Sequence, residues 1–183
     1  MPASATGSLD AFDADPRQWR FTVFTDIPEL RGRRVCTMGL LKGIAIRGAR
    51  RAAMEEVDSV SVSVESGIAG DRHGDFAERQ VTILSTSDWQ AACDELNADL
   101  SWTMRRANLL LDGMVLPRAP GARVRIGECL LEITGETDPC ERMDEQYDGL
   151  RRALTPDWRG GRTCRVVSGG GIRVGDSAEI VGV

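Results

Sequence analysis

Residues 121–145 read G-A-R-V-R-I-G-E-C-L-L-E-I-T-G-E-T-D-P-C-E-R-M-D-E. The first half is hairpin grammar. A strand alternating basic and apolar residues (Arg123, Val124, Arg125, Ile126) meets a Gly127-Glu128 turn. A second strand follows, with Cys129, Leu131 and Ile133 on one face. That strand ends near Gly135 and Glu136. Asp138-Pro139 then forces extended or turning backbone, and Cys140 comes next. Glu141, Arg142, Asp144 and Glu145 are polar, so this segment belongs at the surface, where a cysteine is a poor core filler.

The same grammar recurs at residues 171–181 (G-I-R-V-G-D-S-A-E-I-V), which predicts a second hairpin. Leu40–Ile46 is an apolar run. In Val57–Val64, Val60, Val62 and Val64 alternate with Ser59, Ser61 and Ser63, as in a half-buried strand. Gln80–Leu84, Leu109–Leu111 and Thr163–Val167 also read as strands, so Cys129 and Cys164 are expected to be structural. Trp19–Thr25 reads as a strand docking on the main domain, and Pro28–Arg34 as a linker. Ser85–Asn97 is the clearest helix. Ser85 or Thr86 caps it, Asp88 suits its first turn, and Trp89, Ala92, Cys93 and Leu96 share one face. Tyr147, Leu150 and Leu154 predict a second short helix ended by Pro156, and Trp158–Arg162 a loop. Many short strands with few short helices predict a mostly-β barrel. The expected division is an arm or linker over residues 1–34, with one possible docking strand, and a barrel domain over 35–183.

Composition narrows the function classes. At 183 residues with 42% hydrophobic and 28% charged side chains, the chain is an ordinary globular length and mixture. A net charge of −5, without a basic stripe, argues against bulk nucleic-acid binding. No run approaches a membrane span and the first residues lack a secretory pattern, so the expected location is cytoplasmic. The five cysteines are widely spaced, and His73 is the sole histidine. A disulfide framework, a structural zinc site and a histidine-based triad are therefore not expected. Of 23 basic residues only Lys42 is lysine, and arginine is the better fork for oxyanions.

Three arginine-bearing stretches could carry chemistry. Gly70-Asp71-Arg72-His73 joins flexible backbone to a cation and an imidazole. Arg105, Arg106 and Asn108 precede a strand. Arg142 lies two residues beyond Cys140, and a cation near a thiol favours the reactive thiolate. Each also has a plain structural reading: a turn between strands, a solvated strand entrance, an inert surface thiol. If the stretches converge at one barrel end, they make an oxyanion site beside Cys140.

The ordered set Gly70-Asp71-Arg72-His73, Gln80–Ser85, Arg105–Gly113, Arg125–Glu128, Pro139-Cys140 and Ile172–Asp176 resembles the MOSC domain, the C-terminal domain of molybdenum-cofactor sulfurases, in its stand-alone bacterial form. The resemblance covers roughly 35–183. It implies a β-barrel that binds molybdenum cofactor (molybdopterin). Cys140 would accept sulfur as a persulfide in sulfurtransferase-like chemistry, or ligate molybdenum. Gly70, Asp71, Arg72, His73, Arg105, Arg106, Asn108 and Arg142 would bind the cofactor. No pyridoxal-phosphate lysine is recognisable, which implies a separate cysteine desulfurase or other sulfur donor and a molybdoenzyme acceptor. Two other readings stay open: a non-catalytic cofactor-insertion module, and a molybdenum-dependent reductase component fed by an external redox partner. Many relatives read Arg-Arg-Asn directly. Here Ala107 intervenes, which leaves open which arginine faces the pocket. Some stand-alone relatives carry a second cysteine shortly before the matched one; here Thr137 precedes Asp138-Pro139-Cys140, so no resolving thiol neighbours Cys140.

Overall fold

The hairpin read from 121–136 is the seam on which the barrel is built. In a computed structural model that describes residues 21–23, 34–36, 38–72 and 78–182, the strands in chain order are β1 (Phe21–Val23), β2 (Arg34–Cys36), β3 (Met38–Ile46), β4 (Glu55–Val57), β5 (Ser59–Ser63), β6 (Gly67–Ile68), β7 (Val81–Ser85), β8 (Leu109–Asp112), β9 (Arg123–Ile126), β10 (Cys129–Glu136), β11 (Arg162–Ser168), β12 (Gly170–Arg173) and β13 (Ser177–Gly182). The α-helices are α1 (Thr86–Leu96), α2 (Arg142–Gln146) and α3 (Leu150–Leu154).

β9 and β10 pair antiparallel in the register Cys129 to Ile126 and Leu131 to Val124. Gly127 takes φ 53° at the turn, a conformation that favours glycine. Val124, Ile126, Cys129, Leu131 and Ile133 are all buried, while Arg123 and Arg125 face water. Strand order continues β10–β11–β7–β8–β3, and β13 bonds to both β3 and β9. Seven strands thus close on themselves, and closure removes the exposed edges that an open sheet would present. β4 extends β3 outside the ring, and β12, β5 and β6 form a separate three-stranded sheet.

One pair in the ring is parallel, β7 with β8. A parallel connection needs a crossover, and α1 supplies it. Ser85 caps α1, its side chain accepting from the Asp88 amide at 3.1 Å, and Asn97 ends it in left-handed backbone (φ 48°). All five residues of β7 are buried, because one face lines the barrel and the other lies under the helices. Ile83, Leu109 and Leu111 belong to the barrel core. Leu84, Trp89, Cys93, Ala107, Leu110, Met143, Leu150 and Leu154 form a second core outside it.

Several local expectations are corrected. The 171–181 segment is not a hairpin. β12 pairs with β5 and β13 with β9 and β3. The turn between them is held instead by Asp176, which accepts the Arg173 amide (2.9 Å), and by the Val174 and Gly175 amides, which donate to the Asp58 and Leu41 carbonyls. The 57–64 stretch is not one alternating strand. It breaks at Asp58, and Val64 is exposed. The helix expected around 147–154 is shorter, Leu150–Leu154: Tyr147 instead caps the end of α2, and Gly149 at φ 80° separates the two. Pro156 opens a 3-10 turn rather than merely ending a helix, and Arg162 begins β11 rather than closing a loop. Of the 19–25 strand only Phe21–Val23 is described. It pairs with β2, which takes in the last residue of the expected linker, Arg34, and the pair forms its own two-stranded sheet, not an addition to the barrel. No described helix is long and apolar enough to cross a membrane.

Candidate functional site

The site grows from the end of β3 and the entrance to β8. Asn108 stands immediately before β8. Its backbone accepts from the Ala45 amide (2.7 Å) and donates to Thr82 (2.9 Å), joining β3 to β7. Its side chain repeats the stitch: Oδ1 accepts from the Thr82 amide (3.0 Å), and Nδ2 donates to the Ala45 carbonyl (3.3 Å). The same Nδ2 reaches the Asp71 carboxylate (3.1 Å), which also accepts the Arg47 amide (3.0 Å). Gly70 turns the chain at φ 81° so that Asp71 can fold back and the Arg72 amide can donate to the Arg47 carbonyl (3.0 Å). Gly70, Asp71, Arg72 and Asn108 are therefore brought to one place, with Arg47 among them. His73 lies outside the described residues.

The two neighbouring arginines part company. Trp102–Arg105 is one 3-10 turn capped by the Ser101 side chain, and Arg106 leaves it in left-handed backbone (φ 65°). Arg105 is buried at 4% exposure. Its guanidinium donates to the carbonyls of Gly160 (2.5 Å) and Thr137 (2.7 Å), and to the Met143 sulfur (3.7 Å). Arg106 is half-buried and donates to the Ala52 carbonyl (2.9 Å). The charges acting on Arg106 are those of Arg142, Cys140 and Asp71. Ala107 is fully buried in the outer core, Arg105 turns into the interior, and Arg106 stays half-buried against the Ala52 carbonyl, with the Cys140 charge acting on both arginines.

Cys140 is exposed in the turn that opens α2, its carbonyl accepting from the Met143 amide (2.9 Å). Arg142, in the first turn of that helix, lies 3.8 Å from Glu145. The side-chain Nε atoms of Arg106 and Arg142 are buried without a hydrogen-bond partner, which leaves both guanidinium groups with unused donors. Burial, and then the Arg106 charge, lower the Arg47 pKa, and Arg142 and Arg72 act in the same direction. The charges of Arg72, Arg106 and Arg142 thus all act on Arg47, with Asp71 as the carboxylate among them. Such crowding is costly unless an anion relieves it.

The remaining described thiols are explained by packing. Cys93, Cys129 and Cys164 are buried, and burial pushes their pKa values up, for Cys129 to about 11. Arg47 is the site residue that the sequence reading missed; its only signal was a cation directly after the Leu40–Ile46 run. Among the described residues, no cluster of three or more His, Cys, Asp and Glu side chains could hold a metal ion. A groove lined by Ser59, Ser61, Glu128, Ile172 and Arg173 contains none of the residues of this cluster.

The closed seven-strand barrel defines the kind of fold this is. The MOSC domain family matches residues 67–179, and the chain belongs to that family, whose domain is of the type found at the C-terminus of molybdenum-cofactor sulfurases. Its fold is also that of solved bacterial structures. The YuaD protein of Bacillus subtilis matches with a TM-score of 0.71 at 19% identity, over 80% of this chain and 97% of that one. YiiM from Geobacillus stearothermophilus (TM-score 0.62, 15% identity, 79% and 75%) and YiiM from Escherichia coli (0.59, 15%, 80% and 69%) are similar in the same way. No curated protein matches the sequence.

Proposed function

We propose that this protein binds molybdenum cofactor through its arginine cluster and carries sulfur on Cys140. The observation that supports this most is an exposed thiol two residues from Arg142 and acting on Arg106, where the buried Nε atoms of both arginines have no hydrogen-bond partner. The fit to the cofactor is through its anionic end. Arg47, Arg72, Arg106 and Arg142 would take the phosphate as bidentate forks. Asp71 and Asn108 would hold that loop in place, and Arg105 is spent on backbone carbonyls. When bound, the cofactor supplies a molybdenum centre that exchanges sulfur.

The thiolate of Cys140 attacks the outer sulfur of a persulfide on a donor protein, such as a cysteine desulfurase. The donor's S–S bond breaks, its thiolate leaves with the electron pair, and a persulfide remains on Cys140. Without a neighbouring cysteine in the loop, the sulfur waits there for a molybdoenzyme acceptor.

The test is incubation with a cysteine desulfurase and sulfur-35 cysteine. Wild type should hold reducible label, and Cys140→Ala should hold at most about a tenth as much. Equal label on both would end the sulfur-carrier reading. A second reading, binding and insertion of cofactor without thiol chemistry, is favoured by the same unpartnered Nε atoms, which need no thiol. It predicts that Cys140→Ala co-purifies with as much fluorescent pterin as wild type while Arg106→Gln loses it.

A further inference from the structure

We propose that Arg105 is the positioning residue of Cys140: a buried guanidinium that ties down the loop carrying the thiol. The proposal rests on Cys140 being the reacting group. Its geometric basis is three contacts from one side chain. Thr137 lies three residues before Cys140 and Met143 three after, and Arg105 touches both, at 2.7 Å and 3.7 Å. The third contact, with the Gly160 carbonyl (2.5 Å), anchors the same guanidinium to the chain leading into β11. One planar fork therefore fixes both ends of a seven-residue turn whose centre is the exposed cysteine. Lysine offers a single point of charge and could not span all three.

The burial of this cation has a consequence. None of the described carboxylates makes an ion pair with Arg105, and a buried charge without a partner is unfavourable. Burial and then the Arg79 charge work against the protonated guanidinium, bringing its pKa down to about 10. Cys140 is the first of the opposing influences, followed by Glu136 and Asp138.

The test is hydrogen exchange of the peptide spanning residues 137–143, read by mass spectrometry on the full chain. Arg105→Met should remain folded while the amides of that peptide exchange at least about tenfold faster than in wild type, the rest of the barrel staying protected. Arg105→Lys should fall between the two. A folded Arg105→Met whose 137–143 amides exchange as in wild type overturns the proposal. If Arg105→Met does not fold, Arg105→Lys decides the matter: since lysine cannot span all three contacts, wild-type protection of that peptide in Arg105→Lys overturns the proposal. Exchange is read without sulfur-35 transfer, so a failed sulfur-carrier reading and a failed Arg105 reading are separately visible.

Discussion

At the scale of single residues, Asn108 concentrates more structural work than its size suggests. It joins β3, β7 and the Asp71 loop through three side-chain hydrogen bonds while 4% exposed. Removing it leaves the Thr82 amide without its side-chain partner and takes one donor from Asp71, at about 1–3 kcal/mol for a buried group left unsatisfied. Asn108→Ala should therefore lower the midpoint of thermal unfolding by roughly 4–10 °C, by the usual conversion for a chain of this size. Calorimetry checks it, and a shift below about 2 °C would mean the stitch is carried by the backbone alone. Arg162 is the other demanding residue. It is 1% exposed, paired with Asp88 at 2.5 Å, and donates to the carbonyls of Leu116, Pro117 and Trp158. Arg162→Leu should be far more disruptive than Arg118→Leu, since the latter breaks only an exposed pair with Asp157. Soluble yield and urea midpoints would show the ranking.

At the scale of elements, the outer faces of β9, β10 and β11 are joined by one carboxylate. Glu132 accepts from Arg165 (2.7 Å) and from Arg123 (3.2 Å) across the two neighbouring strands. The Arg165 hydrogen bond, opposed by burial and joined by Arg123, holds the carboxyl below its ordinary value of 4.5. A carboxylate whose pKa is depressed on folding stabilises the folded state above its unfolded pKa, and this is lost as pH falls through the folded value. Glu132→Gln should therefore lower stability at pH 7 by up to about 1 kcal/mol. The gap to wild type should close as pH falls below about 4. Melts at both pH values test it, and a gap that survives unchanged in acid would assign it to packing.

The elements also show what could be read in the sequence. The β9–β10 hairpin and α1 with both caps were legible because their information is local: a Gly-acid turn, a serine three residues before Asp88, an asparagine at the exit. The supposed hairpin at 171–181 had the same local signal and a different outcome. Its strands find partners at Val60 and Val62 on one side and at Met38–Leu40 and Val124–Ile126 on the other. Pairings across so many residues leave no trace in local pattern. In the site, the cysteine turn and Arg106 were visible as residues, whereas the inward course of Arg105 was not. It follows from one left-handed residue at 106 and from carbonyls supplied by residues 137 and 160. Arg47 joined the site only because the Asp71 loop folds back onto it.

At the scale of the whole molecule, the ring has a last piece. β13 bridges β3 and β9, and Ala178 and Ile180 of that strand are buried against the core. Truncation after Asp176 opens two edges at once. The shortened chain should bind a hydrophobic dye and lose the single cooperative unfolding step of the full chain. Retention of one sharp transition would show that the six remaining strands hold without closure.

That seam also sets a schedule for the chain in the cell. The strand that completes the ring, β13, is made after every other strand of it, while the strand it must meet, β3, begins at Met38. Every arginine of the site and Cys140 itself leave the ribosome before the barrel can close. During that interval β3 and β9 present unsatisfied edges, the kind of surface that chaperones shield and that aggregates recruit. The Cys140 turn is thus made before the barrel that supports it can close. The time between the two is set by translation of the stretch from Cys140 to the end of β13, about forty residues, at roughly 5–20 residues per second.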